Sequence, residues 1–112
     1  MATKILNSQS DQKSLQEVTR RIVSVAKPSR MLLFGSAVSG HMTKDSDLDI
    51  LVVVQGPVHH RRMAQEIYRS LRGLGLAVDV VVVTEEEIQN YGQRAGTILK
   101  PALQDGRVIY EA

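Results

Sequence analysis

The chain has 112 residues, 43% of them hydrophobic, and no cysteine. Domains run to about 100–150 residues, so the length bounds the chain to one domain, and the missing cysteines exclude disulfides and thiolate zinc sites. The balance of 14 basic against 12 acidic residues, net +2, is too even to argue for polynucleotide binding by bulk electrostatics, and none is expected. Met1 to Ser10 reads as a frayed N-terminus ahead of a domain over residues 11–112. It is polar and lacks the apolar stretch of a signal peptide. No apolar run reaches the roughly 18 residues of a membrane span. A soluble, cytoplasmic protein is expected.

From Asp11 to Lys27, Leu15, Val18, Ile22 and Ala26 recur at helical spacing, and Pro28 ends that helix. Met31-Leu32-Leu33-Phe34 reads as a buried strand stopped by Gly35. Residues 35–44 lack strand periodicity and read as a turn, a short helical segment and a loop. Asp47 to Val54 is a second strand. Val58 to Leu74 is an amphipathic helix with Ala64, Ile67, Leu71 and Leu74 on one face and Gly73 and Gly75 at its end. Leu76 to Val83 is a third strand. Thr84 with Glu87 three residues on predicts a capping box that opens a helix running to Tyr91. A last helical pattern, Ile98 to Leu103, contains Pro101, which should kink or divide it. Gly106 caps it, and Val108-Ile109-Tyr110 forms a small edge strand. The class is α/β or α+β. The Val/Ile/Leu runs of strands two and three predict strands covered on both faces.

The informative stretch is Phe34-Gly35-Ser36, ten residues, then Asp47-Leu48-Asp49. Side chains alternate along a strand, so Asp47 and Asp49 project from one face about 6.6 Å apart. Two carboxylates this close repel unless a cation lies between them. Hard oxygen ligands suit Mg²⁺ or Mn²⁺ with substrate phosphates. Asp79 interrupts the third strand, where an unpaired buried carboxylate would be costly. Gathering it with Asp47 and Asp49 removes that cost and suits two-metal chemistry. Gly35 permits close backbone approach, and the N–H groups opening a helix beside the Ser36 hydroxyl suit a phosphate. Each piece has a bland counterpart. Gly-Ser is a common turn, Asp-X-Asp occurs in loops and caps, and a strand aspartate can pair with an arginine. The conjunction carries the reading.

That conjunction resembles the signature of the DNA polymerase β-like nucleotidyltransferase superfamily, with Asp79 in Val78-Asp79-Val80-Val81 similar to its third acidic strand residue. The short chain and the ending Pro101-Ala102-Leu103-Gln104-Asp105-Gly106 resemble the minimal nucleotidyltransferases, the MNT group. The resemblance covers Ser29 to Tyr110. It implies a single-domain nucleotidyltransferase fold, a small mixed β-sheet flanked by helices. It implies transfer of a nucleotidyl group from a nucleoside triphosphate, ATP being the expected donor, with two divalent metals, Mg²⁺ or Mn²⁺. By that likeness Asp47 and Asp49 bind metal, Asp79 helps to activate the acceptor hydroxyl, and Gly35 and Ser36 hold the β- and γ-phosphates. Minimal members pair as antitoxins with a small helical HEPN-domain toxin, which they neutralise by transferring AMP to a tyrosine.

One stretch departs from the pattern. Gly35-Ser36-Ala37-Val38-Ser39-Gly40 stands where many members have Gly-Ser-Arg-Ala-Arg-Gly, so two cations are missing, with His41 and Lys44 nearby in the same loop. A binding module that neutralises its partner by occlusion is therefore the alternative. Transfer to a small molecule such as an aminoglycoside would need an acceptor domain for which no residues are left over. The acceptor is expected from a partner or a second copy of the chain. His59-His60 reads as a helix terminus, since adjacent helical residues point different ways. Glu85-Glu86-Glu87 reads as structural at a helix start. Arg61, Arg62, Arg69 and Arg72 form a wet face that could meet an acidic partner, and Tyr110 reads as packing.

Overall fold

The protein is described by a computed structural model over residues 9–35, 48–94 and 96–112. In chain order these residues form α1 (Gln9–Ala26), β1 (Arg30–Phe34), β2 (Leu48–Val54), α2 (His60–Ser70), β3 (Val78–Thr84), α3 (Glu85–Tyr91), α4 (Leu99–Asp105) and β4 (Arg107–Glu111). The strands make one mixed sheet in the order β3-β2-β1-β4. β1 is antiparallel to both β2 and β4, and β2 is parallel to β3. The class is the expected mixture of helices and a small mixed sheet. The turn and short helical segment expected at 35–44 lie, beyond Gly35, outside the described residues.

Two apolar layers sandwich the sheet. On one face Val18, Ile22 and Ala26 of α1 and Ile67 of α2 bury against Met31, Leu33, Ile50, Val52, Val80 and Val82. On the other, Leu99 and Ala102 of α4 bury against Leu32, Leu51, Val53 and Val83, with Ile88 of α3 packed alongside. Burying an aliphatic side chain fully contributes about 1.5–3 kcal/mol, so residues such as Ile22 and Ile67, with no exposed surface, anchor their helices. β2 is covered on both faces, as its composition predicts. β3 is not covered throughout, because it is the outer strand and its first two residues lie partly or fully in solvent.

The helix ends follow local chemistry. α1 begins at Gln9, ahead of the expected Asp11. It ends where Lys27 takes a left-handed φ of 47° and Pro28 cannot continue the helix. α2 opens with His59, whose Nδ1 accepts the Arg62 N–H at 3.2 Å. It stops at Ser70 rather than Leu74, although Leu71 and Leu74 still pack on the core from the turn that follows. The capping box forms as expected. Thr84 Oγ1 accepts the Glu87 N–H at 3.1 Å, and the Glu87 carboxylate accepts the Thr84 N–H at 2.8 Å. Pro101 neither kinks nor divides α4. It sits in the first turn, where an N–H has no helical partner to lose.

Candidate active site

The topology decides what meets. β1 is antiparallel to β2, so its end lies beside the start of β2. β3 is parallel to β2, so both start together. Gly35, just past β1, Asp49, second in β2, and Asp79, second in β3, therefore gather at one end of the sheet. In register, Phe34 faces Asp49 and Asp49 faces Asp79. Neighbouring strands lie about 4.8 Å apart, which sets the scale between the two aspartate backbones. By alternation both side chains share the face of Leu51, Val53, Val81 and Val83. Among the described residues α3 and α4 cover the far part of that face, and at this end Asp49 is partly exposed and Asp79 exposed.

Gly35 is fitted to this place. Its φ is 76°, a left-handed conformation that glycine adopts readily. A Cβ added there would collide with the Asp49 carboxylate. The backbone after β1 thus lies directly against an acid, the close approach that the sequence suggests for this turn.

Asp79 is placed with the site but not in the expected environment. The sequence predicts a buried carboxylate whose cost a metal offsets. The residue is instead exposed, because the edge position of β3 opens it to water. Its partner is a residue that the sequence reasoning misses. Tyr68 of α2 reaches around the free edge of β3, accepts the Val80 N–H at 2.8 Å and donates its hydroxyl toward Asp79 Oδ1 at 3.2 Å. No periodic signal marks Tyr68. It is 41% exposed, next to fully buried Ile67.

Ser36, Asp47, His41 and Lys44 lie outside the described residues. Among the described residues no group of three or more His, Asp or Glu comes together. The donor set still suits a hard divalent cation: Asp49, partly exposed, and Asp79, exposed, offer carboxylate oxygens from adjacent strands on one face.

Glu17, Glu85 and Glu87, with His59 and His60, have structural partners. Glu85 accepts from Ser29 Oγ at 2.6 Å and from Arg30 at 3.2 Å. The Ser29 hydroxyl, then Arg30, hold its carboxyl below the usual range. Glu87 is lowered mainly by its bond to His60 Nε2, at 2.8 Å, and by the Thr84 cap. Glu17 is held down to about 2 by Arg20 and then Arg21. Tyr110 packs, partly buried, on the first core layer. A groove of about 690 Å³ between α1 and β4 lies at the opposite edge of the sheet from β3, lined by Leu15, Thr19, Val23 and Tyr110 among others. It holds none of the site residues.

Comparison with known proteins agrees with this geometry. The family profile described as nucleotidyltransferase domain matches residues 13–105. A Methanocaldococcus jannaschii protein, provisionally named a protein adenylyltransferase, is 26% identical over 102 residues, covering 89% of this chain and 98% of that protein. A crystal structure of a provisionally assigned nucleotidyltransferase from Sulfolobus solfataricus has the same fold, with a TM-score of 0.62 and 22% identity over 88% of this chain and 78% of that one.

Proposed function

Because the chain belongs to the nucleotidyltransferase domain family, we propose that it transfers AMP from ATP to a hydroxyl of a protein partner, as the antitoxin of a pair with a helical HEPN-like toxin. The observation that carries the transfer chemistry is the register that sets Asp49 against Asp79, with Gly35 pressed on Asp49. A protein acceptor is supported by the name of the M. jannaschii relative. The antitoxin role is supported by the resemblance to minimal nucleotidyltransferases.

Two divalent cations, Mg²⁺ or Mn²⁺, held by Asp47, Asp49 and Asp79, would neutralise charge at the reacting phosphate. Gly35 and Ser36 hold the β- and γ-phosphates through backbone N–H groups and a hydroxyl. Asp79 receives the proton of the acceptor hydroxyl as that oxygen attacks the α-phosphorus in line. The bond from the α-phosphorus to the bridging oxygen breaks as the new ester bond forms, and pyrophosphate leaves.

The test mixes the chain, its helical partner, Mg²⁺ and ATP labelled at the α-phosphate. Label is expected on the partner and is lost when Asp47→Asn and Asp49→Asn are combined. Label retained by that double variant contradicts the mechanism. Inhibition of the partner without label favours occlusion, the reading that Ala37, Val38 and Ser39, in place of the family's arginine-bearing stretch, leave open.

A further inference from the structure

α2 is two-sided. Ile67 is buried, and Met63, Ala64 and Leu71 pack on the core. On its other side Arg61, Gln65 and Arg69 recur every fourth residue and so line one stripe, which Arg72 extends into the turn and Arg62 flanks. All five side chains are exposed. On α1, by contrast, Glu17 engages both exposed Arg20 and half-buried Arg21. The four arginines of the α2 surface have no ion-pair partner among the described residues. On a chain of net charge +2, they make a local concentration of positive potential.

The position of the stripe matters more than its charge. Across the sheet the site runs from Gly35 beside β1, through Asp49 on β2, to Asp79 on β3. Tyr68 then continues it. Its hydroxyl is 3.2 Å from Asp79 Oδ1, and with Gln65, Arg69 and Arg72 it lines a groove of about 330 Å³. Arg69 and Arg72 therefore lie beside Tyr68 at the Asp79 edge of the sheet, two strands from Gly35, and Arg61 carries the stripe along α2 toward its N-terminus. A triphosphate seated at Gly35-Ser36 does not need them, whereas an acceptor that reaches Asp79 around the β3 edge, beside Tyr68, would meet Arg69 and Arg72. Guanidinium groups bind carboxylates bidentately. A nucleic acid fits less well, because the four aromatic residues of the chain offer no stacking platform.

We infer that the stripe Arg61, Arg69 and Arg72 docks an acidic, carboxylate-rich face of the acceptor protein and delivers its hydroxyl to Asp79, an inference that rests on the transfer reaction proposed above. Fluorescein-labelled polyglutamate, followed by fluorescence anisotropy at low salt, is the probe. The intact chain should bind it, and Arg61→Glu combined with Arg69→Glu and Arg72→Glu should weaken binding by about tenfold or more. The neutral triple Arg→Gln variant should lose part of the affinity, and Arg20→Glu on α1 should change it by less than about twofold. Unchanged polyglutamate binding in both triple variants overturns the inference. So does tighter binding of a labelled single-stranded oligonucleotide at the same stripe. The two readings fail separately. If Asp49→Asn abolishes label transfer while the triple reversal leaves the KM for the partner unchanged, the docking surface is wrong and the reaction stands. If Asp49→Asn leaves transfer intact, the reaction is wrong whatever the polyglutamate shows.

Discussion

The two ends of the sheet both carry acids, and the protein treats them differently. At the end where β1 starts and β3 finishes, Glu85 is held by Ser29 and Arg30, and Glu87 by Thr84 and His60. Those carboxylates are committed to joining strand to helix. At the other end Asp79 is exposed, meets a tyrosyl hydroxyl, and has no basic partner among the described residues. Asp49 lies beside it with a glycine pressed against its carboxylate. A carboxylate whose charge the fold has already compensated is structural. Asp79, exposed and set by register against Asp49, is the carboxylate to which the proposed reaction assigns a cation and the acceptor hydroxyl.

Substitutions at the two ends should therefore have opposite consequences. The largest effect is expected from Asp49→Asn or Asp79→Asn, each lowering nucleotidyl transfer on the order of 10²–10³-fold while the thermal midpoint stays within a few degrees. A large fall in stability would make these residues structural. Gly35→Ala comes next. It forces a β-carbon into the Asp49 carboxylate at φ 76° and should cost more than about 1 kcal/mol in denaturant unfolding, with transfer falling too. At the far end, Thr84→Ala should cost about 1 kcal/mol through loss of the cap, with transfer per folded molecule unchanged. Smallest is the pH effect. Glu85 and Glu87 have carboxyls lowered from an ordinary value of 4.5. Their stabilisation is present above that value and is lost as pH falls through the folded pKa values. Glu85→Gln should flatten the acid limb of a stability–pH curve, and an unchanged limb would remove Glu85 from the account.

The amino-acid sequence makes parts of this comparison legible and hides others for definable reasons. Features set within a few residues can be read directly: the Thr84–Glu87 box, the Gly35 turn, and the Asp49 side chain opposite Leu48 and Ile50. The pairing of Asp49 with Asp79 can be supposed but does not follow from either strand alone, since it depends on a parallel register between strands about thirty residues apart. The exposure of Asp79 is hidden because a β-branched run reads the same in an edge strand as in a central one, until sheet order is known. Tyr68 escapes for a related reason. Its hydrogen bonds use the free backbone edge of β3, which exists only once β3 is outermost. Pro101 misleads because a proline signals a kink only in a helix interior, and α4 places it in the first turn.

The most direct test is the binding of Mn²⁺ with ATP, followed by the electron paramagnetic resonance signal of free Mn²⁺, in the intact chain, Asp49→Asn, Asp79→Asn and Glu85→Gln. The account predicts that the intact chain and Glu85→Gln take up Mn²⁺·ATP alike, and that both aspartate variants lose most of that uptake. Equal uptake by all four proteins, or loss only in Glu85→Gln, would contradict it.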